Sequence, residues 1–314
     1  MKKTNQNNYV QTVGVVGLGI MGGMMAEALC AAGYTVTGYD PVPAARKRLQ
    51  KAGGRALASA TAVAESADVV ITSLAKASVL EKVAADIAQA KHVNKRDKKR
   101  APLIVIETST LTLADKEAAQ RVLARAGARV LDCPISGTAV RMKEGAWTIF
   151  VSGPKAAAAN VKPVLGVFTK NTPYVGSYGN GTRMKFIANH LVAIYNCAVG
   201  ETMTFARKMK LDPQQVWDLF AQSPVVGTGV FKLRGKMMVA QNYLPATMKV
   251  QVWQKDMQVI GDMAKSVDCP VPLFTACAPL YTTAMAQGLS QHDTASVCEV
   301  LGHMAGLNAV KRRA

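Results

Sequence analysis

The stretch "TVGVVGLGIMGG", Thr12–Gly23, decides the fold. It opens as an apolar, largely β-branched run and then turns glycine-rich, with Gly17, Gly19 and Gly22 in the pattern G-x-G-x-x-G. A strand that passes through such a loop into a helix brings backbone close to a phosphate. Gly17 permits the tight turn, Gly19 leaves room for a pyrophosphate, and Gly22 lets helix and strand pack closely. The helix start then offers unbonded N–H groups to the phosphates. Leu18, Ile20 and Met21 occupy the positions between the glycines.

Working outward, "IMGGMMAEALCAAG" (20–33) reads as a helix closed by Gly33, and "TVTGYD" (35–40) as a second strand. Asp40 ends that strand 23 residues after Gly17, where a carboxylate bonds the adenosine ribose hydroxyls and repels a 2′-phosphate. NAD is therefore expected over NADP, and Arg46, Lys47 and Arg48 close behind keep NADP possible. The plain alternative is a turn aspartate before Pro41. A helix with prolines at its entry follows (41–53). Further strands are expected at 68–74, 102–109, 128–136 and 148–153, with a short one at 172–177 and helices between most of them. Such alternation gives a doubly wound, mostly parallel sheet covered on both faces.

Beyond Gly181 the strand signals stop. From Thr182 to Lys210 there is no proline and one glycine, Gly200, which predicts a single long helix. Asp212 as N-cap and Pro213 at the first helical position open the next one. Helices are also expected over 248–266 and 273–287, with a last one capped by Asp293 or Thr294. The expected architecture is an α/β Rossmann-type dinucleotide-binding domain over 1–178. An all-α substrate and dimerisation domain over 179–314 follows it, the two joined by a long interdomain helix.

A chain of 314 residues, 49% of them hydrophobic, has room for two such domains. Its apolar runs fall short of the ~20 residues a spanning helix needs, so no membrane association is expected. The polar start "MKKTNQNNYVQ" does not read as a secretory signal. Six scattered cysteines without a C-x-x-C pair suit a reducing cytoplasm, and the four histidines lack metal-ligand spacing, so no metal is expected. The formal charge of +18 attracts anions, whether nucleotides, acidic metabolites or nucleic acid. The densest run, "KHVNKRDKKR" (Lys91 to Arg100), sets six Lys or Arg against one Asp without an aromatic residue. It reads as a solvated loop, with nucleic-acid contact the lesser reading.

Two more stretches carry chemistry. "DCPISGT" (132–138) ends a strand, and Ser136, Gly137 and Thr138 there either present hydroxyls and N–H groups to a carboxylate or form an ordinary polar turn. In "GNGTRMKFIANHL" (179–191), Lys185 and Asn189 stand at i and i+4 on one helix face, a stripe that Val192 and Asn196 continue. Met184, Phe186, Ile187 and Leu191 lie largely elsewhere and suggest packing on other sides. On spacing alone, Lys185 is either a snorkelling side chain or a functional amine.

Four motifs in order add a resemblance that covers nearly the whole chain. "VGVVGLGIMGGMMAEAL" is close to G-L-G-x-M-G-x-x-M-A, and "LDCPISG" to D-A-P-V-S-G. "GNGTRMKFIANHL" is close to G-x-G-x-x-x-K-x-x-x-N, and "KDMQVIGDMA" to K-D-L-x-x-A. The chain thus resembles the β-hydroxyacid dehydrogenase family, which includes 3-hydroxyisobutyrate dehydrogenase and tartronate semialdehyde reductase. The resemblance implies that Lys185 is the catalytic lysine and Asn189 a substrate contact, and that Ser136 and Gly137 bind the substrate carboxylate. It implies that Lys255 reaches over cofactor and substrate. "ETST" matches D-x-S-T and puts Thr110 near the nicotinamide ribose, while "SLAK" makes Leu74 and Ala75 cofactor-lining. Homodimers or homotetramers built through the helical domain are also implied.

The sequence departs from the family at "SGTAVRMKEG", where Thr138 replaces a second glycine and Arg141 and Met142 follow. These side chains are expected to enter or border the substrate pocket and to change the substrate from a hydroxyisobutyrate type. The expected reaction is hydride transfer between a nicotinamide cofactor and a small 3-hydroxy acid or its semialdehyde, with Lys185 as general acid and base. A free lysine has a pKa of ~10.4, so the role calls for burial and the nearby Lys255 to lower it. The rival class is a non-catalytic dinucleotide-binding scaffold or nucleic-acid-associated module of the same fold. An imine reductase ranks third.

Overall fold

The computed structural model describes residues 10–91, 93, 101–138, 142 and 144–307. Most of the basic run, Arg141 and the basic C-terminal tail lie outside the described residues. The chain divides into two compact units, one ending at Lys185 and the other starting at Phe186.

The first unit alternates strand and helix: β1 (Thr12–Val16), α1 (Ile20–Ala31), β2 (Thr35–Tyr39), α2 (Pro43–Lys51), β3 (Arg55–Ala56), α3 (Ala60–Ser66), β4 (Val69–Thr72) and α4 (Ala77–Ala88). It continues with β5 (Ile104–Glu107), α5 (Leu113–Ala126), β6 (Arg129–Asp132), β7 (Ile135–Ser136), β8 (Thr148–Ile149) and α6 (Lys155–Gly166). Six strands form one sheet in the order β3-β2-β1-β4-β5-β6, every pair parallel. β4 and β5 are buried along their whole length, as parallel strands covered on both faces must be. Successive side chains enter opposite cores. Val13, Val15, Val69, Ile71, Ile104 and Ile106 join one cluster, while Val16, Val70 and Val105 join the other. The order reverses between β1 and β4, and an open α/β sheet binds ligands at that point, beyond the carboxyl ends of its strands.

The strands depart from the sequence-based expectation in three places. The run 128–136 is not one strand. It breaks at Cys133–Pro134, where proline has no N–H for a ladder, and β7 pairs antiparallel with β8 in a separate two-stranded sheet. The segment 172–177 makes an isolated bridge, Tyr174 to Val151, in place of a strand. β3 escaped notice because two residues carry no period.

α7 (Asn180–Lys208) runs for 29 residues and carries the chain from the first unit into the second. Among its buried positions, Thr182, Lys185, Phe186, Asn189, Ala193, Asn196, Cys197 and Gly200 recur at helical spacing on one face. Met184, Ile187 and Leu191 do not pack as their apolar character suggested. They are exposed, at 46%, 62% and 41%, because they point away from that stripe.

The second unit continues with α8 (Pro213–Phe220), α9 (Lys236–Ala240), α10 (Val250–Ser266), α11 (Pro272–Ala286) and α12 (Val297–Met304). A π-helical turn over Phe231–Gly235 leads into α9. A one-residue widening of a helix leaves no periodic mark in a sequence. One apolar cluster gathers Phe186, Trp253, Met257, Phe274 and Tyr281, and another Met203, Val216, Phe231, Met238 and Tyr243. Arg234 is buried in the π-helical turn, donating to Asp293 and to Asn196 at 3.1 Å each.

Candidate active site

The glycine loop leaves β1 at the switch point. Gly17 has φ +90°, and a Cβ there would stand 2.3 Å from the Ser73 carbonyl oxygen. At Gly22 a Cβ would meet the Gly17 carbonyl oxygen at 1.9 Å, so both positions exclude any side chain. Around Gly19 the space is open to 4 Å. Gly19 is also the N-cap of α1, and neither a capping side chain nor an acidic first-turn residue competes for the helix N–H groups. Close backbone on one side and free space with aligned donors on the other suit a pyrophosphate. These residues fit a dinucleotide.

Asp40, expected to bond a ribose, is buried. Its carboxylate accepts from the Leu18 and Val42 N–H groups, each at 2.8 Å, and so ties the glycine loop to the end of β2. Each oxygen retains a second lone pair for a ribose hydroxyl. Arg46 donates to the Asp40 and Pro41 carbonyls at 2.6 and 3.0 Å, and Arg48 to the Leu18 carbonyl at 2.8 Å. Leu74 is half-buried beside Gly17, and Ala75 is exposed. The Leu74 N–H donates to Ser109 Oγ at 2.9 Å, which joins the "SLAK" and "ETST" segments and places Thr110 next to that junction.

Beneath these segments lies a buried ionic cluster that the sequence reading missed. Lys116 on α5 is fully buried and pairs with Glu107 Oε2 and Asp132 Oδ1, both at 2.6 Å. It also donates to the Ser109 carbonyl at 2.9 Å. Burial works against its charge, but the Glu107 and Asp132 carboxylates outweigh burial and raise its pKa above the usual lysine value. Asp132 in turn holds the start of α7. It accepts from the Thr182 N–H at 2.7 Å and the Thr182 hydroxyl at 2.9 Å. The Gly181 N–H donates to Ser152 Oγ at 2.9 Å. A carboxylate at a helix N-terminus satisfies orphaned donors and complements the helix dipole.

Lys185 follows Thr182 by three residues on the same face and is 8% exposed. Ser136 lies in β7, just beyond Asp132 and Pro134, so the motif "DCPISG" supports α7 at its start and forms the turn at its end. In that turn Gly137 has φ +142°, and a Cβ would stand 2.5 Å from Trp147 Cδ1. Trp147 Nε1 donates to the Thr138 carbonyl at 2.7 Å, so the buried indole props the turn from below. The Thr138 hydroxyl is buried without a hydrogen-bond partner among the described residues. Met142, expected at the substrate pocket, packs against the apolar core of the first unit.

The second unit holds the remaining expected residues. Asn189 is buried, and its amide donates to Asp256 Oδ2 at 2.9 Å. Lys255 pairs with Asp256 Oδ1 at 3.5 Å, its side chain 41% exposed. Asp256, which the motifs did not single out, therefore orients Asn189.

A cavity of about 590 Å³ opens at the opposite, amino-terminal edge of the sheet, near Val10, Pro102 and Ile104. Its Asp68 accepts from the Gln11 and Thr12 N–H groups. It stands at the edge away from the glycine loop and gathers none of the residues above. Among the described residues, no group of three or more His, Cys, Asp or Glu could hold a metal. Among the described residues, no helix is long and apolar enough to cross a membrane.

Residues 12–176 match the family model described as the NAD binding domain of 6-phosphogluconate dehydrogenase. Residues 179–301 match that described as NAD-binding of NADP-dependent 3-hydroxyisobutyrate dehydrogenase. The chain belongs to the β-hydroxyacid dehydrogenase family.

This β-hydroxyacid dehydrogenase is 28% identical to the L-threonate dehydrogenase of Cupriavidus necator, over 92% of this chain and 96% of that one. It is 30% identical to the mitochondrial 3-hydroxyisobutyrate dehydrogenase of Bos taurus, over 92% of this chain and 86% of the relative. The solved 3-hydroxyisobutyrate dehydrogenase from Salmonella typhimurium superposes with a TM-score of 0.79 at 27% identity, covering 92% and 99% of the two chains. The protein is an NAD(P)-dependent oxidoreductase of small hydroxyacids or semialdehydes. Between the enzyme and the non-catalytic module, membership of the β-hydroxyacid dehydrogenases decides for the enzyme.

Proposed function

We propose that this dehydrogenase oxidises a small 3-hydroxy acid, or reduces the matching semialdehyde, with Lys185 moving the proton. The carrying observation is a lysine, 8% exposed, on a helix whose first turn is fastened by Asp132. Bound NAD(P) supplies the hydride acceptor or donor. In oxidation, Lys185 Nζ takes the proton from the substrate hydroxyl as the carbonyl forms; in reduction it returns that proton. Asn189 spends one amide hydrogen on Asp256 and keeps the other for the reacting oxygen. Ser136, Gly137 and Thr138 receive the carboxylate on the turn that Trp147 supports. Gly17, Leu18, Gly19, Ile20, Met21 and Gly22 hold the pyrophosphate. Asp40 holds the ribose and favours NAD, while Leu74, Ala75, Thr110 and Lys255 complete the cofactor contacts.

The exposed Ile187, Phe205, Leu219 and Val225 of the second unit support a homo-oligomer built through the helical domain. Six unbridged cysteines support a reducing compartment, the cytoplasm.

The test mixes the protein with NAD or NADP and L-threonate, 3-hydroxyisobutyrate and other small 3-hydroxy acids, and follows the absorbance of reduced nicotinamide. Lys185→Ala is expected to lower kcat roughly 100- to 10,000-fold while cofactor affinity holds. Near-normal turnover by that variant refutes the role.

A further inference from the structure

The Lys116 cluster has more order than two buried acids require. An ammonium has three N–H donors, and Lys116 Nζ meets three oxygens on two segments: Glu107 Oε2 in an ion pair, and Asp132 Oδ1 and the Ser109 carbonyl as hydrogen-bond acceptors. The first and last belong to the loop that ends at Thr110. Glu107 also accepts from the Ser109 N–H at 2.8 Å, which closes that loop on itself. Asp132 gives both its oxygens to Thr182, one turn before Lys185. A single buried nitrogen thus connects the "ETST" segment to the origin of the helix that carries the proton-transfer group. Apolar side chains of similar volume hold a fold together at least as well as a buried ion group, so stability alone does not account for this one.

We propose that Lys116 is a positioning residue for the reaction. Through Asp132 it sets the position of the first turn of α7, and through Ser109 and Glu107 it sets the Thr110 segment. The Lys185 amine and the nicotinamide-side loop are thereby held in one register. A reacting group misplaced by about 1 Å costs as much as 100-fold in rate. The inference rests on the reading of Lys185 as the proton-transfer group.

Three variants of the full chain test it. Thr182→Val removes the hydroxyl bond to Asp132 and keeps the backbone bond. Lys116→Arg keeps the charge but replaces a tetrahedral donor with a planar fork. Lys116→Met removes the charge. Each is assayed for kcat and KM with NAD and 3-hydroxyisobutyrate or L-threonate, for melting temperature, and for amide hydrogen exchange without substrate. Positioning predicts that Thr182→Val lowers kcat about tenfold with KM for NAD unchanged. Lys116→Arg regains most of the melting temperature lost in Lys116→Met but not its kcat. Exchange rises in the peptides covering 107–112 and 180–186 together, while the β1–α1 peptide stays as it was. The proposal is overturned if Lys116→Arg restores kcat along with stability, or if exchange rises evenly over the sheet. A wild-type protein inactive on both acids removes the reading of Lys185 alone. The exchange pattern then still decides whether Lys116 couples the two segments.

Discussion

Lys116 in the first unit and Arg234 in the second are both buried, ion-paired cations, yet their neighbours differ. The partners of Lys116 lead within a few residues to Thr110, Ser136 and Lys185. Those of Arg234 lead to Asn196 on α7 and to loops: Asp293 also accepts from the N–H groups of Thr247, Met248 and Ala295. The same device, a cation enclosed with a carboxylate, adjoins the proposed proton-transfer group in one unit and ties Asn196 to the 247–248 and 293–295 segments in the other. What separates them is where the acceptors sit along the chain, not how deeply the cation is buried.

The sharpest way to break this contrast is Arg234→Met, which leaves Asp293 buried without its counterion. A loss of about 3–5 kcal/mol is expected, read as a large drop in melting temperature, with kcat near wild type well below the new transition. A fall in kcat comparable to that of Lys185→Ala would erase the distinction.

Gly137→Ala probes the first unit without touching an ion. The new Cβ would meet Trp147 in a backbone conformation that suits glycine. The expected result is a KM for the carboxylate substrate raised about tenfold, or ~1.4 kcal/mol, with KM for NAD unchanged. An equal rise in both would mean that the turn serves the whole unit.

The smallest effect is in acid. Burial opposes the charge on Asp293, but Arg234, Thr247 and the surrounding N–H groups outweigh it and hold the carboxyl below its ordinary 3.8. A carboxyl lowered in the folded state adds stability above its unfolded pKa, and that stability is lost as pH falls through the folded value. Melting temperature is therefore expected to fall below about pH 4, and Asp293→Asn to flatten that fall.

Much of this was visible in the residues. Strand-and-glycine periodicity gives β1, the loop and α1, and the long proline-free run gives α7, because both rest on local rules. That Lys185 and Asn189 share one face of α7 was visible in their spacing, and both are buried there. Lys116 was not, since a lysine amid Asp115 and Glu117 on a helix reads as a solvated residue, and only the sheet brings Glu107 and Asp132 to it. Trp147 was missed for the same reason: its partner, Thr138, comes to it through the β7–β8 pairing. Contacts that the sheet assembles across sequence distance leave no periodic trace.

The trio at the strand ends also bears on descent. Two acids share one amine, and one of those acids also anchors a helix, so losing any member alone strands the others in a dry interior. Lineages that keep the enzyme working are expected to hold a carboxylate, Asp or Glu, at 107 and 132 wherever a lysine stands at 116.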